Sequence, residues 1–283
     1  MTIASNEPDM LNTTLTVHRC DAVPKWELNF IWNPYIPAGE ITMLYGDSDV
    51  GKSTVCCKIA ADISTGTQLP GGSIEKPGKV LYISADLTEY ELVRLLTNSG
   101  ANFKNVYLYS AVMKDSVCDL LGTHVDKLQQ IVSKIKPNLI IVDDCLSFMG
   151  TANHPITLCT IKEYWLKWLQ LCTYKTCGLL LVVPNTKQAS LKNDAGETTF
   201  STIYNQSRSV LCVVAPESDS NAACVLVHQK ANYSALSQSI NVCIDDSGIT
   251  WGDYSVINRR VLEYVTQHHC SVDEALTHFN VKM

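Results

Sequence analysis

The sequence predicts an α/β protein: a mostly parallel central sheet flanked by helices, with antiparallel strands after residue 205. Three observations point there. Short, nearly all-apolar runs such as Leu139–Val142 (LIIV) and Leu179–Val183 (LLLVV) read as strands buried on both faces. They alternate with stretches of about 10–15 residues whose apolar positions recur at helical spacing. After residue 200 the strand-like runs follow one another through short connections.

In chain order, residues 1–20 are polar and Thr/Asn-rich and read as a loose leader. The stretch Trp26–Pro37 (WELNFIWNPYIP) carries two Trp and two Pro and reads as an ordered, aromatic-packed loop. Ile41–Tyr45 is a short apolar strand, followed by a glycine-containing loop and a helix from Lys52 to about Thr65. Lys79–Ala85 (KVLYISA) is strand-like, and Glu89–Asn98 places Leu92, Leu95 and Leu96 on one helical face. Val106–Tyr109 is a further strand, Val125–Ile135 a helix, and Ile161–Leu171 (IKEYWLKWLQL) an amphipathic helix. The polar segment Lys187–Thr199 (KQASLKNDAGETT) reads as an exposed loop. Val210–Val214, Ala223–Gln229 and Ile240–Ile244 are the hairpin-connected strands, and Ser255–Thr266 and Val272–Phe279 two short helices.

Composition narrows the function classes. Hydrophobic residues make up 46% and charged residues 18% of the 283, enough apolar surface for a folded core. The longest apolar runs fall far short of the roughly 18–20 residues that cross a bilayer. No basic segment followed by an apolar one opens the chain, so the expected location is cytoplasmic. With 22 Lys and Arg against 28 Asp and Glu the net charge is −6, which argues against a generally basic nucleic-acid-coating surface but leaves room for a local basic channel. The 12 cysteines lack zinc-ligand spacing, and most of them read as small buried hydrophobes.

One motif carries chemistry. Gly46-Asp47-Ser48-Asp49-Val50-Gly51-Lys52-Ser53, with Thr54 after it, fits G-x-x-x-x-G-K-[ST] between an apolar strand and a helix. Such a loop brings backbone N–H groups and a helix N-terminus to phosphate oxygens. Lys52 would then meet the β- and γ-phosphates of ATP, and Ser53 would offer its hydroxyl to Mg²⁺. Asp143 ends the strand Leu139–Val142, where ligands of open α/β sheets bind, and reads either as a magnesium carboxylate or as a strand-ending turn residue. Asp86 ends the strand before it and reads either as a water-orienting carboxylate or as the N-cap of the next helix.

Together these residues resemble the RecA-like ATPases of phages, plasmids and other mobile elements, typified by the hexameric RepA replicative helicase. The resemblance starts at Trp32–Gly39 (WNPYIPAG) and runs through the phosphate loop, Ala60–Gly66, Val80–Asp86 and Arg94-Leu95. It continues through Leu139–Asp143, Gly178–Lys187, Arg208–Leu211, Val225–Ala231, Asp245–Gly248 and Trp251, so it covers roughly residues 20–252. It implies a RecA-like P-loop core over 21–252, a nucleotide between subunits, a homo-oligomeric ring such as a hexamer, and work on single-stranded DNA. It also assigns Arg208 or Lys230 to the neighbouring subunit's γ-phosphate, and Lys187 and Lys192 to DNA. The sequence departs from the family at Asp49, where a small residue, commonly Gly, is usual, and at Asp86, where the family has Glu. It departs again at Pro184, which replaces a sensor His, and at Asn232, which replaces the Arg of a Lys-x-Arg pair beginning at Lys230; an arginine common before residues 199–201 is also missing.

Residues 253–283 read as a helical pair packed on the core, or as a truncated helix-turn-helix, with Ser271 and Glu274 as a capping box. Three functions follow from this reading: a DNA-linked motor of replication or recombination, a nucleotide-dependent switch or helicase loader that acts with a replication partner protein, and a small-molecule kinase. Only five Arg occur, too few for an arginine-rich kinase lid. The departures point to slow hydrolysis, because finger and sensor groups carry several orders of magnitude of rate.

Overall fold

The computed structural model describes residues 18–23, 27–72, 76–112, 119–149, 157–172, 177–184, 198–218 and 220–279. A hairpin of β1 (Phe30–Trp32) and β2 (Ile36–Pro37) precedes β3 (Ile41–Gly46) and α1 (Lys52–Thr65). Then come β4 (Val80–Ser84), α2 (Glu89–Asn98), β5 (Val106–Ser110), α3 (Val125–Ile135), β6 (Leu139–Asp143), α4 (Leu158–Cys172) and β7 (Gly178–Pro184). The remainder is α5 (Thr199–Gln206), β8 (Ser209–Val214), β9 (Cys224–Ala231), β10 (Ser239–Asp245), β11 (Gly248–Ser255), α6 (Arg259–His268) and α7 (Val272–His278).

Among the described residues the main sheet has nine strands in the order β11-β10-β9-β8-β3-β7-β6-β4-β5. The six from β8 to β5 are parallel, and β9, β10 and β11 are antiparallel additions at one side. β4, β6 and most of β7 are buried along their whole length, which is why they carry apolar residues without alternation. α1 and α2 cover one face, around Ile59, Ile63 and Leu92, and α3 and α4 cover the other, around Leu128, Ile161 and Trp168. α6 and α7 close a third cluster over Cys212, Val225 and Val227 through Val261, Ala275 and Leu276. The capping box of Ser271 and Glu274 starts α7.

Three elements differ from the sequence expectation. Residues 30–37 of the stretch expected as an aromatic loop form the β1–β2 hairpin, whose turn is anchored by Trp32 Nε1–H donating to Pro70 O (2.8 Å) and Tyr35 OH donating to Gln238 O (2.8 Å), while Trp26 lies outside the described residues. Residues expected to end an exposed loop instead start α5, with Thr198 and Ser201 as its capping box. α5 holds residues of modest helix propensity, and it forms because Ile203 is buried in the core with Phe200 and Tyr204 packed against it. β11 escaped the sequence reading because its glycines and partly exposed side chains blur the strand pattern, and its pairing with β10 defines it.

The parallel arrangement puts the carboxyl ends of β3, β4, β6 and β7 on one edge of the sheet. The start of β8 and the end of β9 lie on the opposite edge, since Ser209 pairs with Ala231 and Thr42 with Ser209.

Candidate nucleotide site

The loop after β3 is shaped by close backbone approach. A side chain on Gly46 would put its Cβ 2.3 Å from Val213 O, so the loop leaves the sheet at a point only glycine fits. Gly51 sits at φ 97°, and Asp49 at φ 61° also occupies the left-handed region. That explains why a glycine would be natural at position 49, and aspartate is one of the few residues that tolerates the conformation. Asp47, Ser48 and Asp49 are exposed, while Val50 is half-buried and packs against the core.

α1 begins at Gly51 without a capping side chain, and its first turn holds no acidic residue. Its leading N–H groups therefore face outward with the positive end of the helix dipole, together with Lys52, Ser53 and Thr54. Lys52 Nζ donates to Asp47 O across the loop at 2.6 Å.

At the same edge, Asp143 is buried, and its Oδ2 accepts from Ser53 Oγ–H (2.7 Å) and from Tyr82 OH (2.9 Å). Burial raises its pKa and nearby Asp86 adds to the rise; the two hydroxyls and the Lys52 cation oppose it. A cis peptide bond joins Asp143 to Asp144. Asp144 is committed to the following turn, where it accepts from Leu146 N–H (2.6 Å), Ser147 N–H (3.3 Å) and Ser147 Oγ–H (3.0 Å). Burial raises its pKa too, with Asp86 contributing in the same direction.

Asp86 is exposed beside this pair, since Ala85 N–H donates to Asp143 O at 2.7 Å. It does not cap the next helix. Thr88 does so, with Glu91 completing a reciprocal capping box. The capping alternative for Asp86 is thereby excluded, because the N-cap position lies two residues further along.

The structure thus brings together the loop from Gly46 to Thr54, Asp86 and Asp143. It does not bring Arg208 and Lys230 to them. Both lie at the opposite sheet edge, the length of β3 away, which is roughly 17 Å at ~3.3 Å per residue. Lys230 Nζ donates to Tyr204 O (3.0 Å) and Asn205 O (2.8 Å), the terminal carbonyls of α5, and lies 5.6 Å from the Tyr204 ring centroid. Desolvation lowers its pKa, and Arg208 adds to the effect. Arg208 Nε lies 3.9 Å from Glu40 Oε2, and Tyr233 OH donates to Glu40 Oε1 at 2.6 Å. Lys187 and Lys192 fall outside the described residues.

Sequence reading missed Tyr82. The available signal was one hydroxyl-bearing ring between the apolar Leu81 and Ile83 of the buried parallel strand beside the strand of Asp143. The donor set suits a triphosphate and a hard cation: a lysine and helix N–H groups for phosphate, a hydroxyl and a carboxylate for magnesium. Among the described residues no group of three or more His, Cys, Asp or Glu could hold a metal alone. Magnesium there would take the rest of its shell from phosphate oxygens and water, its usual habit.

A sequence model of the AAA domain matches residues 6–182, well over half of the chain. The chain belongs to the AAA-domain family. This AAA-domain protein is 21% identical over 155 residues to the DNA repair protein RadA of Aquifex aeolicus, a match covering 54% of this chain and 30% of that protein. It is 20% identical over 181 residues to the DNA repair protein RadA of Streptococcus pneumoniae, covering 63% of this chain and 38% of the relative. The match thus spans about a third of the length of these curated relatives. The crystal structure of flagellar accessory protein FlaH from Methanocaldococcus jannaschii superposes with a TM-score of 0.54 at 15% identity, over 77% of this chain and 91% of FlaH. That likeness, with the family match, makes the fold that of a RecA-like P-loop protein. The AAA-domain match contains Lys52, Ser53, Asp86 and Asp143, whereas Arg208 and Lys230 lie beyond it. No described helix of the protein is long and apolar enough to cross a membrane.

Proposed function

We propose that this protein binds ATP with Mg²⁺ and hydrolyses it as a ring-forming, helicase-type motor on single-stranded DNA, in the replication or recombination of a mobile element. The observation that carries the reading is the Ser53–Asp143 hydrogen bond, which ties the first turn of α1 to the end of β6 with Asp86 alongside. In this reading the amides from Gly46 to Thr54 and the Lys52 ammonium take the β- and γ-phosphates. Ser53 and Asp143 would hold the magnesium. The metal supplies charge neutralisation at the phosphates. Asp86 orients the attacking water, and Arg208 or Lys230 reaches the nucleotide of a neighbouring subunit, since neither is near the loop of its own. Lys187 and Lys192 serve as DNA contacts. Both RadA relatives are DNA repair proteins, which supports the DNA part of this reading.

A second reading, a nucleotide-dependent switch or helicase loader, is favoured by two features. Asp86 is one methylene shorter than the glutamate usual in the resembled family, and Lys230 is engaged by the α5 carbonyls of its own subunit. Phosphate release measured with and without single-stranded DNA, for wild type and Lys52→Ala, separates the two. DNA-stimulated turnover lost in Lys52→Ala supports the motor. Magnesium-dependent ATP binding with no DNA response supports the switch, and failure to retain any nucleoside triphosphate sinks both.

A further inference from the structure

We infer that Tyr82 is the positioning residue of the magnesium-side carboxylate: its hydroxyl fixes the orientation of Asp143, so the Asp143–Ser53 pair is set before metal and nucleotide arrive. The inference rests on the nucleotide reading above and deepens it.

Tyr82 lies in the middle of β4, fully buried, in a strand whose five residues are all buried. Packing alone calls for phenylalanine there, because a buried hydroxyl costs free energy unless it is bonded. The hydroxyl donates to Asp143 Oδ2 at 2.9 Å, across one strand pair, from Tyr82 on β4 to the end of β6. The same oxygen accepts from Ser53 Oγ–H at 2.7 Å. Two donors on one oxygen fix the carboxylate torsion and leave Oδ1 without a hydrogen bond among the described residues, as the acceptor available to a metal-bound water. Cys56 and Cys57 of α1 and Tyr82 are all fully buried in one core cluster, which keeps the hydroxyl away from bulk solvent. A phenol is protonated at neutral pH, so the group donates and Asp143 accepts.

The role differs from a packing role in what it changes. Loss of the hydroxyl leaves the phosphate loop, Lys52 and the α1 N-terminus intact, so metal-free nucleotide affinity should stand. Only the gain in affinity that magnesium brings should fall, because that gain passes through Asp143 and Ser53.

The test is equilibrium titration of a fluorescent ATP analogue into full-length wild type and Tyr82→Phe, with magnesium and with chelator, after circular dichroism has shown that both fold. The expected result is unchanged affinity in chelator and a magnesium-dependent gain reduced roughly ten- to hundredfold, the usual cost of losing an outer partner of a metal ligand. Equal losses in both conditions, or an undiminished gain, overturn the positioning role. A wild-type protein that does not bind the analogue in either condition refutes the nucleotide reading instead, and one that binds it no better with magnesium than without it overturns the metal role of Ser53 and Asp143 and the inference with it. Should Tyr82→Phe fail to fold, Tyr82→Met, whose flexible side chain fills the same space, is titrated in its place. Failure of both to fold, with Ser53→Ala folded, also overturns the inference, since the hydroxyl would then be holding the core.

Discussion

At the scale of single residues, two positions carry unusual local physics. Asp49 holds a left-handed backbone conformation in the phosphate loop with its carboxylate exposed. Asp49→Gly removes that conformational cost and restores chain flexibility, so stability should stay within about 1 kcal/mol of wild type. The lost negative charge should tighten ATP binding several-fold at low salt and less at high salt. Titration calorimetry at two ionic strengths checks this, and equal affinities would mean the carboxylate does not face the phosphates. His228 is buried, with its Nδ1 accepting from Ser237 N–H (3.3 Å) and its Nε2 3.1 Å from Ser209 Oγ. Ser209 gives its own proton to Tyr35 O (2.6 Å), so Nε2 must carry a hydrogen and the ring is neutral. Burial lowers its pKa from 6.5 to about 4. Because the unfolded chain binds that proton first, stability is full above pH 6.5 and falls as pH drops toward 4, by about 3 kcal/mol. Urea midpoints of wild type and His228→Gln across this window should converge as the pH falls, and parallel curves would exonerate the imidazole. The motif residues were legible in the sequence because the chemistry of a phosphate loop depends on contiguous positions. The pairings of Tyr82 and His228 were not, since their partners lie 61 and 19 residues away.

At the scale of elements, ion pairs and caps decide how the helices sit. On α1, Lys58 Nζ and Asp62 Oδ1 are 2.7 Å apart and nearly buried, and Asp62 Oδ2 accepts from Trp251 Nε1–H of β11 at 2.6 Å. Lys58→Met strands a buried carboxylate whose pKa burial already raises, and is expected to cost about 3 kcal/mol or more in chemical denaturation. A loss under 1 kcal/mol would show that water reaches Asp62. Lys230→Met removes the cation from the carbonyl end of α5 and should lower stability by about 1 kcal/mol. An unaltered melting curve combined with lost turnover would instead assign Lys230 wholly to a neighbouring subunit. α1, α2 and α3 lie where their periodicity predicts, with α2 and α3 each presenting an apolar face at helical spacing to the sheet. α5 could not be read that way, because its stability comes from Ile203 entering the core and Lys230 capping its end, both tertiary effects.

For the whole molecule, the sheet separates two sets of candidate residues by the length of a strand. Loop, Asp86 and Asp143 occupy one edge, Arg208 and Lys230 the other, so a complete site under the motor reading requires a second subunit. Light scattering should show growth in mass on adding ATP and Mg²⁺. Mixing the inactive variants Lys52→Ala and Arg208→Ala should then restore turnover at up to about a quarter of sites in a mixed ring. No recovery in mixtures shown to co-assemble would refute a role for Arg208 across the interface. Local stretches of sequence were enough for the class of fold, the phosphate-loop motif and the strand-end carboxylates, because hydrophobic period and contiguous motifs are properties of neighbouring residues. Tertiary structure alone decided that Thr88 rather than Asp86 caps α2, that Tyr82 reaches Asp143, and that the two basic residues stand away from the loop. Those facts depend on strand order and on which distant groups share a buried space, and neither is written in any local pattern of residues.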